Sequence, residues 1–340
     1  MKKDNILIIG YFGKRSKILE GQSVKTRNIS HLLKEMGNHV SEFDTESFRY
    51  DTFAVIKLLN LLLRAKRVCI LPAFNNLKWI FPFIYILSFV FRYKLYVFTI
   101  GGRLHIYLKT LPLHRYMLKH IERIFNETQL LEKELRELYG FKNLTYCPNF
   151  KFAIYNPTIH HTPEKLNLVF FARIIAEKGL DVIFNYCKYL KGQNRTDVHI
   201  DFYGMIDSKD KEYFEREIKL YPFVMYGGVI QQDVIPKILE KYDAMLFPTH
   251  YPTEGIPGSI LDAYIAGIPV IASNWVYATE LIDNRKTGII IPFENNEQFF
   301  IEACESLADE DLLNTLKKNA YKKGLEYRAD NVKKILKEFF

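Results

Sequence analysis

The chain has 340 residues, 48% of them apolar and 25% charged, which is long enough for two globular domains of roughly 150 residues each and too apolar for a disordered protein. Its four cysteines, Cys69, Cys147, Cys187 and Cys304, show no CxxC spacing, so neither a zinc site nor a disulfide framework is indicated and buried, reduced thiols are expected. The net charge of +8 is uneven: residues 1–150 hold 24 Lys and Arg against 12 Asp and Glu, whereas 151–340 hold 23 against 27.

The first half has the rhythm of a doubly wound α/β domain. Ile6–Ile9 reads as a strand ending at Gly10; these four apolar residues are too few for a signal peptide. The loop 10–22 carries Gly10, Gly13 and Gly21, in a spacing that matches neither GxGxxG nor a P-loop. Ser23 is placed to cap a helix in which Val24, Ile29, Leu32, Leu33 and Met36 recur at helical spacing, stopped by Gly37. Strands are expected near Val40–Phe43, Val68–Leu71, Leu95–Thr99, Arg123–Phe125 and Leu144–Cys147, with helical stretches between them, a pattern that predicts a parallel sheet. Trp79–Phe91 is a thirteen-residue uncharged run containing Pro82, short of the ~20 residues that a spanning helix needs. It reads either as a helix buried on the sheet or as an aromatic contact to a membrane surface. Thr99-Ile-Gly-Gly-Arg-Leu-His105 follows a strand, and its paired glycines allow close approach of backbone to a ligand. Asn126 and Thr128 are placed to cap the next helix.

A join is expected near Lys151–Thr162, after which the alternation resumes. Leu168–Phe171 is a strand running into Arg173-Ile-Ile-Ala-Glu-Lys178-Gly179 and then a helix. Val198–Tyr203 ends at Gly204, Phe223–Tyr226 at Gly227-Gly228, and Ala244–Phe247 at Pro248. Next comes Glu254-Gly-Ile-Pro-Gly-Ser-Ile-Leu-Asp262, two acids eight residues apart. Pro257 defers the helix to Gly258 or Ser259, Gly267 and Pro269 end it, and Asp262 is expected in its first turn. Free amides and a positive dipole at a helix N-terminus suit an anion, and an acid on each side suits hydroxyls. A sugar nucleotide has both. The tail 331–340 is amphipathic.

Glu254 to Asp262, together with Arg173 and Lys178 about eighty residues upstream, resembles the signature of the family-four retaining glycosyltransferases, in wording closest to their capsular and exopolysaccharide branch. The resemblance implies a GT-B architecture: α/β, two Rossmann-like doubly wound domains facing each other across a cleft that closes on binding. Residues 1–155 would form the acceptor-side domain, 156–325 the nucleotide-sugar donor domain, and 326–340 a C-terminal helix packing back on the first domain. It implies that Arg173 and Lys178 grip the donor diphosphate, that Glu254 contacts the transferred sugar, and that Asp262 holds ribose hydroxyls. Asp262 stands where the family more often has Glu, and Pro257 lacks an N–H that many members present, so Gly258 and Ser259 would supply the amides. Gly21, Gln22, Lys25 and Gly102 would lie near donor phosphates or acceptor, Gly204 near the base, and His105 would assist the acceptor hydroxyl. The implied activity is retaining, metal-independent transfer from a nucleoside-diphosphate sugar, a UDP-sugar foremost, with no cofactor. The acceptor would be a lipid-linked or oligosaccharide hydroxyl in surface polysaccharide synthesis. The alternatives are a GT-B epimerase or phosphorylase, or a non-catalytic nucleotide-sugar binding module. The basic first half suits an anionic membrane better than nucleic acid, for which no recognition motif is present. A cytoplasmic protein, peripheral to the inner face of a membrane, is the expectation.

Overall fold

The computed structural model describes residues 5–15, 21–159 and 165–340, and divides the chain into two units, 5–150 with 329–340, and 151–328. In the first unit six parallel strands, β1 (Asn5–Gly10), β2 (His39–Asp44), β3 (Arg67–Leu71), β4 (Lys94–Phe98), β5 (Arg123–Asn126) and β6 (Leu144–Tyr146), lie in the order β2-β1-β3-β4-β5-β6. They alternate with α1 (Gly21–Glu35), α2 (Ala54–Arg64), α3 (Phe74–Phe91), α4 (Leu104–Lys109), α5 (Pro112–Lys119) and α6 (Gln129–Tyr139). The central strands are continuous apolar runs, as in Ile6–Ile9, because helices cover a parallel sheet on both faces. The C-terminal helix Ala329–Leu336 belongs to this unit, and the tail that follows it packs Phe339 edge-on and Phe340 at a tilt against Phe125, with ring centroids 5.2 and 6.2 Å away.

The second unit holds β7 (Leu166–Phe171), β8 (Val198–Tyr203), β9 (Val224–Gly228), β10 (Ala244–Phe247), β11 (Val270–Ser273) and β12 (Gly288–Ile291) in the order β12-β11-β10-β7-β8-β9, again all parallel. Its helices are α7 (Leu180–Gly192), α8 (Lys211–Ile218), α9 (Ile235–Leu239), α10 (Gly258–Ile265), α11 (Ala278–Leu281), α12 (Glu297–Glu305) and α13 (Glu310–Glu326). This is the dinucleotide-fold strand order, and its direction reverses between β7 and β10. Stacked rings of Phe184 and Phe202, 5.5 Å apart, fill one layer of the core. A buried ion pair, Lys317 Nζ to Asp243 Oδ1 at 2.7 Å, ties α13 to the start of β10.

Several local expectations are corrected. Ser23 is the third residue of α1 and fully buried rather than its cap, because the helix is already formed at Gly21. Thr128 does cap α6, its hydroxyl accepting from the Leu131 N–H at 3.2 Å, but Asn126 is the last residue of β5 and caps nothing. The helix around Trp79 is longer than the uncharged run, since Asn75, Asn76 and Lys78 are tolerated on its first turns. It is neither wholly buried nor wholly exposed. Leu77, Phe81, Ile84 and Tyr85 form a buried stripe, with Trp79, Phe83, Ile86 and Val90 exposed on the other side. All four cysteines are buried free thiols, and burial raises the pKa of each.

Candidate functional site

In a doubly wound sheet, ligands bind beyond the carboxyl ends of the strands where the winding reverses. In the second unit those strands are β7, which leads into Arg173 and Lys178, and β10, which leads into Glu254. The topology therefore brings residues some eighty positions apart to one edge. Lys178 Nζ donates to Glu254 Oε1, with both side chains largely shielded, and stands 5.1 Å from the centre of the Phe247 ring. The loop from β10 is latched to the loop from β7 by backbone: His250 N–H to Glu177 O at 2.9 Å and Thr249 Oγ1 to the same oxygen at 3.2 Å.

Two glycines permit this closeness. Gly179 ends a short 3-10 turn (Ala176–Lys178) at φ +80°, and a Cβ there would lie 1.8 Å from the Pro248 carbonyl oxygen. Gly204, at φ +143°, would put a Cβ 1.8 Å from the Ala172 oxygen, so its observed role is to seat the Arg173 loop. That loop is further pinned to the turn after β8, by Ile174 N–H to Met205 O and Asp207 N–H to Ile174 O, each 2.9 Å. Gly179→Ala is accordingly expected to cost about 3 kcal/mol or more, from a disfavoured backbone conformation and a steric clash together. A urea-denaturation midpoint close to that of the parent would contradict this.

Arg173 is paired with Asp207, which sequence inspection did not flag because the partner lies in the next strand's turn. The Lys209 N–H first, and Arg173 after it, hold the Asp207 carboxyl below its ordinary range. At the start of α10, Pro257 is extended (φ −63°, ψ 124°) and gives no side-chain cap, which leaves the amides of Gly258 and Ser259 as the positive end of the helix. Asp262 is the fifth helical residue, in the second turn rather than the first, because the helix starts at Gly258. It is buried and bonded to Lys151 Nζ at 2.6 Å, and burial raises its pKa against the pull of that lysine. Lys151, 111 residues away, is a second partner that sequence pattern did not reveal. The edge thus collects Lys178 paired with Glu254, Arg173 paired with Asp207, amides without a side-chain cap, and the lysine-held Asp262. Such a set can bind a diphosphate and the hydroxyls next to it.

In the first unit the expected residues fall at the carboxyl edge of that sheet. The described part of the glycine loop is held by Asp44, whose oxygens accept from the N–H groups of Phe12 and Lys14 at 3.1 Å each; residues 16–20 lie outside the described residues. Gly21 and Gln22 form the first turn of α1 rather than loop. Lys25 does not face a ligand: it is 2% exposed, 2.5 Å from Glu127 Oε1 and 2.8 Å from Thr99 O. Its charge is consumed by a buried carboxylate, whose other oxygen accepts from the Gly101 N–H at 3.2 Å and so fixes the turn that presents Gly102. His105 is the second residue of α4, with Nδ1 3.3 Å from Glu134 on α6.

A doubly wound domain that gathers cations, acids and helix-end amides at its switch point has the chemistry to bind an anion with hydroxyls beside it. Residues 156–323, nearly all of the second unit, match the family model described as Glycosyl transferases group 1. The amylovoran biosynthesis glycosyltransferase AmsK of Erwinia amylovora is 28% identical over 192 residues, 51% of this chain and 46% of its own. An Escherichia coli protein named UDP-Gal:alpha-D-GlcNAc-diphosphoundecaprenol alpha-1,3-galactosyltransferase is 32% identical over 106 residues, 30% of this chain and 27% of its own. The matched segments span less than half the length of these relatives. Among solved structures, sucrose-phosphate synthase from Thermosynechococcus elongatus superposes with a TM-score of 0.80 at 14% identity, covering 99% of this chain and 98% of its own. The fold is GT-B, with two six-stranded parallel sheets and their helices.

Proposed function

We propose that the protein is a glycosyltransferase of surface polysaccharide synthesis that moves a sugar from a UDP-sugar to a hydroxyl of a lipid-linked or oligosaccharide acceptor, with retention and without a metal. The observation that carries this reading is the pairing of Lys178 with Glu254 at the switch point, beside Arg173 and the uncapped start of α10. The family model matched by the second unit supports transfer of a glycosyl group, similarity to AmsK supports polysaccharide synthesis, and the name of the Escherichia coli galactosyltransferase supports a UDP-sugar donor and a lipid-linked acceptor. In the proposed reaction the bond from the anomeric carbon to the diphosphate oxygen breaks, and the acceptor oxygen bonds to the same face of that carbon. The acceptor proton passes to the departing diphosphate. Charge grows on that leaving group, so fixed cations and amides act most strongly in the transition state. Arg173, Lys178 and the Gly258–Ser259 amides supply them, Glu254 orients the sugar, and Asp262 takes ribose hydroxyls.

Calorimetric titration of UDP, other nucleoside diphosphates and their sugars into the protein with EDTA present tests the reading. One nucleotide should bind in the micromolar range, and the heat should vanish in Arg173→Ala/Lys178→Ala. No binding by any nucleotide, or binding that survives the double substitution, rejects the donor site and the transferase reading with it. Binding that appears only when magnesium replaces EDTA rejects the metal-independent part.

A further inference from the structure

Between Asp51 and Glu122 the chain carries no acidic residue, while eleven of the residues 52–121 are Lys or Arg. This segment contains α2, α3, α4 and α5. From β2 to β3, β4 and β5 the strands advance in one direction across the sheet, so right-handed crossovers place these helices on one side. Contact between α3 and α5 is direct, with His114 Nε2 3.2 Å from the Lys78 carbonyl and its ring 6.3 Å from that of Phe81.

The outer surface of this layer is apolar. On α3, Trp79 is 71% and Phe89 66% exposed, and Ile86 and Val90 stand beside them at helical spacing. Leu63 on α2 and Tyr116 on α5 are also more than half exposed. Lys78 Nζ lies 4.9 Å from the Trp79 ring centre, and the helix ends at Arg92. An eighteen-residue helix of mean hydropathy 1.3 is long and apolar enough to cross a bilayer. Here its other stripe is already committed to the sheet, which leaves it able to lie in an interface but not to span one. An apolar stripe with an aromatic anchor, flanked by cations and free of acids, has the chemistry of a surface that seats on anionic lipid.

We infer that the α2–α3–α5 face docks on a bilayer of anionic lipids, with Trp79 and Phe89 inserted to the depth of the headgroups. The inference uses the first unit alone and needs no nucleotide, so it stands or falls separately from the donor chemistry. Binding is read by cosedimentation with vesicles of phosphatidylcholine alone and of phosphatidylcholine mixed with phosphatidylglycerol. The full chain should bind the mixed vesicles, release in high salt, and lose roughly fivefold in affinity for each cation removed from this layer. Trp79→Glu/Phe89→Glu should abolish binding while leaving the unfolding transition in place, since both side chains are exposed. The chain has two tryptophans and Trp275 is 1% exposed, so a blue shift of emission on mixing reports Trp79. Equal binding to neutral vesicles, undiminished binding by the double variant, or an emission that does not move would each overturn the inference. So would a dimer in solution that the double variant dissociates, because the face would then belong to a second copy.

Discussion

Replacing Lys178 by alanine is expected to lower sugar transfer about 100- to 1,000-fold, the loss typical when one preorganised group facing developing charge is removed. UDP affinity should fall less, by roughly tenfold, the lower part of the range for a charge-assisted contact. The asymmetry follows from the reaction: the diphosphate carries more charge as its bond to the sugar breaks, so a fixed ammonium helps the transition state more than the ground state. Glu254→Gln gives the opposing sign. In the structure Glu254 holds the Lys178 ammonium, which is proposed to bind the diphosphate. An amide removes that competitor, so UDP should bind at least as tightly as to the parent, while transfer falls because the group that orients the sugar is gone. Calorimetry with UDP, set beside acceptor-dependent turnover, reads the two effects separately. If both variants weakened UDP binding to the same degree, the pair would be a structural ion pair and its assignment to the donor site would fail.

How much of this was legible in the sequence depends on how local each cause is. Ala244–Phe247 and Val198–Tyr203 occupy the strands expected of them: the first is a run of apolar residues buried on both faces, and the second alternates, burying Val198, Ile200 and Phe202 while His199, Asp201 and Tyr203 are only partly covered. The order strand, Arg173, Lys178, Gly179, helix is also local and is present. Helix starts were less legible. Pro257 admits Gly258 as readily as Ser259, and that one-residue difference moves Asp262 out of the first turn. At α1 a capping residue, Ser23, was read where glycine already opens the helix. Partners were not legible at all. Asp207 reaches Arg173, Lys151 reaches Asp262 and Glu127 reaches Lys25 only through sheet topology, over separations of 34, 111 and 102 residues. The last of these turned a supposed ligand contact into a buried ion pair. Periodicity found the α3 helix, but its two stripes are both apolar, and only packing shows which one the sheet takes.

Lys151→Ala is expected to destabilise the second unit by about 3–5 kcal/mol, because it orphans a carboxylate already taken out of water. For a domain of this size that corresponds to a fall in Tm of roughly 10 °C. The sign with pH is fixed by Asp262. Burial raises its pKa above the ordinary 3.8, so protonation is easier in the folded than in the unfolded state. Such a group favours folding at low pH, and the benefit is lost as pH rises from 3.8 through the raised value. Lys151 offsets that loss at neutral pH, and without it the pKa is driven further up. The Tm deficit of Lys151→Ala should therefore be largest on the alkaline side of neutrality and shrink as the solution is acidified and Asp262 takes a proton. Lys151→Met/Asp262→Leu, which removes both charges and keeps the volume, should recover most of the stability while losing the ribose contact proposed for Asp262. Thermal melts of the single and double variants across pH measure this directly. A deficit independent of pH, or one that the double variant does not repair, would mean that Lys151 acts through packing of its stem rather than by neutralising Asp262.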